Sequence, residues 1–147
     1  IHPQSIVHSM VEFNDGSVLS QMSVPDMRGP IGYALSYPER LDDAVSRLEL
    51  DKIEKLTFFK PDTESFPCLK YAYDALREGG TMPAVLNAAN EAAVNAFLEK
   101  RISFNDIPAI INKTMHSHST KQTADILAVT DADRWAREKA EEYILTA

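Results

Sequence analysis

Only two stretches of this chain read as β-strands, and both lie before residue 25. Residues 6–13 and 17–24 are rich in apolar and β-branched residues and flank Asn14-Asp15-Gly16, which supplies the positive φ that a tight hairpin turn requires. Along the first strand Val7, Ser9, Val11 and Phe13 share one face, while Ile6, His8, Met10 and Glu12 share the other. Apolar groups therefore stand on both faces. A two-stranded ribbon is marginal in water, and nothing downstream reads as a third strand, so this hairpin needs further strands or a partner surface.

The rest of the chain is helical or irregular. Pro25, Gly29 and Pro30 stop the second strand, and Pro30 is well placed in the first turn of a short helix carrying Ile31, Ala34 and Leu35 as far as Tyr37-Pro38. Residues 39–62 are charged and irregular, with one apolar patch from Leu56 to Phe59, and predict a linker that crosses the surface of something else. From Ser65 onward the apolar spacing is helical. Leu69, Ala72, Tyr73 and Leu76 fall at i, i+3, i+4 and i+7 before Gly79-Gly80. Thr81 is placed to cap a second helix, with Pro83 in its first turn and Val85, Leu86, Ala89, Ala93, Phe97 and Leu98 on its buried side. That helix ends near Lys100-Arg101, where cations suit the dipole.

Ser103 and Asp106 have capping-box spacing, and Pro108 must lie in a first turn, so a third helix starts close to Asn105 with Ile107, Ile110, Ile111 and Met115 as its stripe. Thr130 and Asp133 repeat the signature before a fourth helix, in which Ala132, Trp135, Ala136, Ala140, Tyr143 and Ile144 share one side. Four amphipathic helices joined by short connections predict a small bundle. The fold class expected is α+β and mostly α: a β-hairpin and short helix, a linker, then a four-helix bundle.

Composition narrows the function. A net charge of −7 with no basic stripe argues against nucleic acid as a partner. No apolar run approaches the roughly 18 residues of a membrane span. Cys68 is the only cysteine, so no internal disulfide forms and a reducing compartment is favoured. Its plainest reading is a small buried apolar residue. His116 and His118, two residues apart at a helix end, lack a third ligand type in position and read as solvated. His8 reads either as a strand histidine satisfied inside a sheet or, with His2 and Ser5, as the polar rim of a cavity. Asn87, Asn90 and Glu91 recur on one helix face, where they suit a structural polar network. Phosphate loop, dinucleotide fingerprint, nucleophile elbow and paired carboxylate cluster are all missing from the sequence. Read from its residues alone, the chain is an interaction piece without a complete active site.

Longer stretches carry a resemblance. HPQS with VHSMV, DGSVL and PDMR, in the segment that runs to YALSYPER, resembles the later part of the catalytic domain of the 1-deoxy-D-xylulose 5-phosphate reductoisomerase family. FPCLKYAYDALREGG, LNAANEAAVNAFL and RISFNDI are similar to that family's C-terminal helical domain, and the match keeps its order along the whole chain. The resemblance implies that residues 1–38 close an α/β catalytic domain, that 39–62 are a linker, and that 63–147 form the C-terminal bundle. It also implies that more than half of the enzyme precedes Ile1, including an NADPH-binding domain, the carboxylate metal ligands, and the Lys and Asn contacts to substrate.

In the family, a phosphorylated sugar is rearranged and reduced with Mg or Mn and NADPH, within a homodimer formed by the catalytic domain's sheet. Carried over motif by motif, Ser5 and His8 are expected to line the active site, with Pro25 and Met27 near substrate and nicotinamide. A flexible thioether suits a planar ring. No metal ligand is expected on this chain, and no cofactor is expected to bind to it alone. Ser23 stands where many members have glycine, so the exit of the second strand is expected to differ slightly. Bacterial cytoplasm is the implied location, with the plastid as the other. Two readings from other classes remain: a stand-alone helical interaction module with a β-hairpin arm for dimerisation, and a metal-binding protein using His116 and His118.

Overall fold

The structure is a computed structural model that describes residues 1–123 and 125–147. It divides into two compact units, Ile1–Pro61 and Asp62–Ala147. Secondary structure is mostly helical, with a single antiparallel hairpin among the described residues.

In the first unit β1 (Val7–Glu12) pairs with β2 (Val18–Met22). The turn forms as its sequence requires. Gly16 takes φ +84°, its N–H donates to Phe13 O at 2.9 Å, and Phe13 N donates to Ser17 O at 2.9 Å. Asp15 Oδ1 fixes the far side by accepting from Ser17 N at 2.8 Å and Ser17 Oγ at 2.6 Å, which holds its carboxyl below the usual range. Both faces of the ribbon stay open, with Met10, Val11, Val18 and Leu19 all more than half exposed.

After β2 comes α1 (Arg28–Ser36), and a short helix α2 (Leu50–Ile53) interrupts the irregular stretch beyond it. Parts of this irregular stretch pack on their own unit. Leu41 and Val45 lie over α1 at two glycines: a Cβ on Gly32 would meet Leu41 Cδ1 at 3.2 Å, and one on Gly29 would meet Val45 Cγ1 at 3.6 Å. Gly32 permits the closer approach. Residues 57–59 run beside the first four: Ile1 N donates to Phe59 O at 2.6 Å, Phe59 N to Ile1 O at 2.9 Å, and Gln4 Nε2 to Thr57 Oγ1 at 2.8 Å. The His2 ring stacks on Phe58, centroids 4.6 Å apart. Its Nδ1–H donates to Thr57 O and its Nε2 accepts from Ile6 N, so a single tautomer satisfies both contacts.

The second unit contains α3 (Cys68–Glu78), α4 (Met82–Leu98), α5 (Asp106–Ser117) and α6 (Ile126–Ile144). Its centre is α4, which packs most extensively on α6 and next on α5. Ala88, Ala89, Ala93 and Ala96 of α4 and Ala132, Ala136 and Ala140 of α6 are buried. Small side chains let helices approach closely while Ile107, Ile110, Ile111 and Met115 of α5 fill the remaining volume. Arg137 ties α6 to α4: it donates to Glu91 at 2.6 Å and to Asp133 at 2.8 Å, and Asn87 donates to Glu91 at 3.3 Å. These pairs are half exposed and worth at most about 1 kcal/mol each.

Several expectations for this unit change. On α3 the stripe of Leu69, Tyr73 and Leu76 faces outward, and the core side is Cys68, Tyr71 and Ala75. Both sets have helical spacing, so periodicity alone does not separate them. Leu98 is likewise exposed, at the C-terminal end of α4. Helix α6 begins four residues before Thr130. Asp125 is its cap, accepting from Ala128 N at 2.9 Å, while Thr130 Oγ1 donates to Leu127 O inside the helix and Asp133 is held by Arg137. Thr-x-x-Asp spacing suits a helix interior as well as a cap.

Thr81 stands at the start of α4, but its side chain does not cap that helix. Almost fully buried, it accepts from Lys121 N at 3.1 Å and bonds His118 Nε2 at 2.8 Å, while its own N–H donates to Lys121 O at 3.0 Å. His118 is therefore no free helix end. Its ring is half-buried, 4.9 Å from the Trp135 ring. Burial pushes its pKa down, opposed by Glu78 and aided by Lys121. With the folded value below the unfolded value of about 6.5, the unfolded chain binds more protons at mildly acid pH. Stability is complete above the unfolded pKa and is lost as pH falls through it toward the folded one. The urea midpoint of the chain is expected to drop between about pH 8 and pH 5 more than that of His118→Gln. Equal drops in both proteins would remove His118 as the cause.

Candidate functional site

Ser5, His8, Pro25 and Met27, separated by up to 22 positions in sequence, line one cavity of about 700 Å³ in the first unit. Each comes from a different local device. Ser5 closes a turn in which its N–H donates to His2 O at 3.1 Å, and it sits at φ +52°. That conformation costs a residue with a Cβ about 1–3 kcal/mol and is concentrated at functional sites. His8 lies on β1 where the register slips: Val7 pairs with Met22 and Ser9 with Gln21, so two steps on β1 match one on β2. His8 is the extra residue of this bulge. Bulges re-aim a side chain and interrupt the alternation of faces.

Pro25 ends the β2 extension, and Met27 leads into α1 with its side chain more than two-thirds exposed. Pro30 and Val45 add apolar wall, and Gln21 and Ser23 add polar wall. Ser23 Oγ donates to Val24 O at 3.2 Å.

Sequence reasoning did not mark three charged or aromatic lining residues, Asp26, Tyr33 and Arg40. The Arg40 guanidinium lies 4.4 Å from the Tyr33 ring centroid, a cation–π contact that fixes a long side chain at the mouth. Asp26 is the only carboxylate among the described lining residues. Arg28 occupies it through three side-chain contacts of 2.5–3.0 Å and a backbone N–H at 2.9 Å, which push its pKa down to about 2. A carboxylate so held is a poor general base at neutral pH. It is also a single donor, so the residues lining this cavity do not fit a divalent cation, which takes several oxygen ligands.

His116 and His118 are elsewhere. They line a cavity of about 410 Å³ in the second unit with Asp74 and Glu78. His116 Nδ1 donates to Asn112 O at 2.8 Å, His118 Nε2 is bonded to Thr81, and Asp74 is paired with Lys70 at 2.6 Å. Among the described residues no three His, Cys, Asp or Glu stand close enough to hold a metal ion. No helix of the described residues is long and apolar enough to cross a membrane.

The model of the DXP reductoisomerase C-terminal domain matches residues 22–139. This chain belongs to the 1-deoxy-D-xylulose 5-phosphate reductoisomerase family. The reductoisomerase of Acetivibrio thermocellus is 56% identical over 144 residues, 98% of this chain and 38% of the relative. That of Trichlorobacter lovleyi is 56% identical over 146 residues, 99% of this chain and 37% of the relative. Among solved structures, the Zymomonas mobilis reductoisomerase in complex with NADPH superposes with a TM-score of 0.88 at 43% identity, over 97% of this chain and 38% of that one. A reductoisomerase in complex with NADPH, fosmidomycin and magnesium gives 0.83 at 38% identity, over 97% and 37%. The chain thus spans less than two-fifths of the length of the reductoisomerases it matches.

Proposed function

We propose that this chain is the C-terminal portion of an enzyme that converts 1-deoxy-D-xylulose 5-phosphate to 2-C-methyl-D-erythritol 4-phosphate, using NADPH and a divalent cation, Mg or Mn. Residues 1–38 then close the catalytic domain, 39–62 act as linker, and 63–147 form the C-terminal bundle. The observation that carries this reading is the single cavity wall shared by Ser5, His8, Pro25 and Met27, in a chain of the reductoisomerase family.

The wall has two kinds of surface, suited to two kinds of ligand. Pro25 and Met27 offer apolar area to one face of a nicotinamide ring and exclude water from it. The Ser5 hydroxyl and the His8 imidazole offer hydrogen bonds to the hydroxyl groups of the sugar phosphate, and the bulge at His8 aims that ring. The cation polarises a carbonyl when bound. Its carboxylate ligands belong to the portion of the reductoisomerase beyond this chain, since Asp26 is committed to Arg28. The unpaired outer edges of β1 and β2 suit pairing with the rest of the catalytic sheet, and their open apolar faces suit packing within it and, through it, a homodimer. Bacterial cytoplasm suits the relatives.

The test compares two proteins. The 147-residue chain, given the sugar phosphate, Mn and NADPH, is expected to leave the absorbance of the reduced nicotinamide unchanged. The full-length protein is expected to consume it. A full-length protein that leaves NADPH untouched would end this reading, and turnover by the chain alone would end the division of labour within it.

A further inference from the structure

We propose that the Asp26–Arg28 ion pair is a positioning device that fixes the base of Met27 and so presets the surface offered to the nicotinamide ring. This rests on the reading of Met27 given above. The pair spans a single residue. Asp26 Oδ1 accepts from Arg28 N at 2.9 Å and Nε at 3.0 Å, and Oδ2 accepts from Nε at 3.0 Å and Nη2 at 2.5 Å. Carboxylate and guanidinium thus meet as two planar forks across Met27.

The backbone on either side of Met27 is held. Asp26 N donates to Val24 O at 2.9 Å behind it, and Met27 O accepts from Ile31 N at 3.2 Å in the first turn of α1. Gly29 beyond it is covered by Val45. Only the thioether is left free, projecting from a fixed base beside the cavity.

Stability does not account for this arrangement. The Arg28 side chain is about three-quarters exposed, and an ion pair so placed adds little to folding. Nor does Arg28 line the cavity; Asp26 and Met27 do. It therefore acts on the cavity through its neighbours. A loop held in its binding conformation spares the ligand the cost of ordering it.

The experiment uses the full-length reductoisomerase carrying Arg28→Gln or Arg28→Lys. NADPH affinity is measured by titration calorimetry, and the KM for the sugar phosphate and the melting temperature are measured alongside. Arg28→Gln is expected to weaken NADPH binding about tenfold, with the sugar-phosphate KM and the melting temperature unchanged. Arg28→Lys recovers part of the loss, because an ammonium keeps the charge without the fork. Unaltered NADPH affinity in Arg28→Gln overturns the proposal, as does a melting temperature that falls in step with affinity, which would make the pair merely structural. Wild-type protein that does not bind NADPH fails the underlying reading instead, and with it the role given to Met27.

Discussion

Replacing Gly80 by alanine is expected to destabilise the helical unit by about 3 kcal/mol, lowering its melting temperature by more than about 10 °C. Two costs combine. Gly80 has φ +52°, which a residue with a Cβ adopts only under strain of about 1 kcal/mol or more. A Cβ there would also stand 2.3 Å from the Lys121 carbonyl oxygen and 2.9 Å from Thr120 Cγ2. Retreat is not free, because Lys121 O accepts from Thr81 N and Lys121 N donates to Thr81 Oγ1. Moving the segment 118–121 breaks both bonds, at roughly 0.5–1.5 kcal/mol each, and draws His118 away from Thr81, the partner that orients it. Gly79 provides the control. It too has positive φ, +71°, but a Cβ there meets nothing within 4 Å, so Gly79→Ala strains the backbone and leaves 118–121 in place. Trp135 is the only tryptophan and lies against His118. Its fluorescence in the folded state should therefore change in Gly80→Ala and not in Gly79→Ala. A Gly80→Ala protein as stable as the wild type would mean that residues 118–121 do not pack here.

How much of this was readable in advance depends on the range of the interaction. The Asn-Asp-Gly turn is local, and its chemistry alone placed the hairpin. The stripe on α5 was legible because that helix has one apolar face and a proline that can sit only in its first turn. On α3 the same logic failed, since Leu69, Tyr73 and Leu76 outweigh Cys68, Tyr71 and Ala75 in hydrophobicity while the smaller set meets the core. Which face turns inward is settled by the volume α4 leaves, a quantity no single helix contains. Local sequence predicts a cap at Thr81, because its actual partners, His118 and Lys121, lie 37 and 40 residues away.

The candidate site divides along the same line. Family motifs, not periodicity, drew Ser5, His8, Pro25 and Met27 together, and the bulge at His8 is a property of pairing that neither strand shows by itself. The Asp26–Arg28 pair has a local signal in the sequence: opposite charges two residues apart do not meet on a helix, but they do across a turn. Pro25 on one side and Gly29-Pro30 on the other mark such a turn.

The orientation of α3 and the importance of α5 can be separated by one pair of substitutions. Ile111→Ala is expected to cost about 2–5 kcal/mol, the range for truncating a buried aliphatic side chain in a core that relaxes only partly. Ile111 is 1% exposed and among the largest fully buried side chains, set in a cluster whose other members on α4 and α6 are mostly alanines. Alanines on helices already in contact have no spare length with which to fill a hole, so the cavity should persist and the cost should lie toward the upper part of that range. Leu76→Gln removes a comparable hydrocarbon surface from a residue that is 71% exposed, and its cost should stay within about 0.5 kcal/mol. Both residues stand on apolar stripes of equal helical regularity, so a scheme based on spacing predicts equal losses. Denaturant midpoints measured at unchanged slope would decide the matter: a large shift for Ile111→Ala with none for Leu76→Gln follows from α3 packing through Ala75, whereas equal shifts require that helix to be turned by about half a revolution.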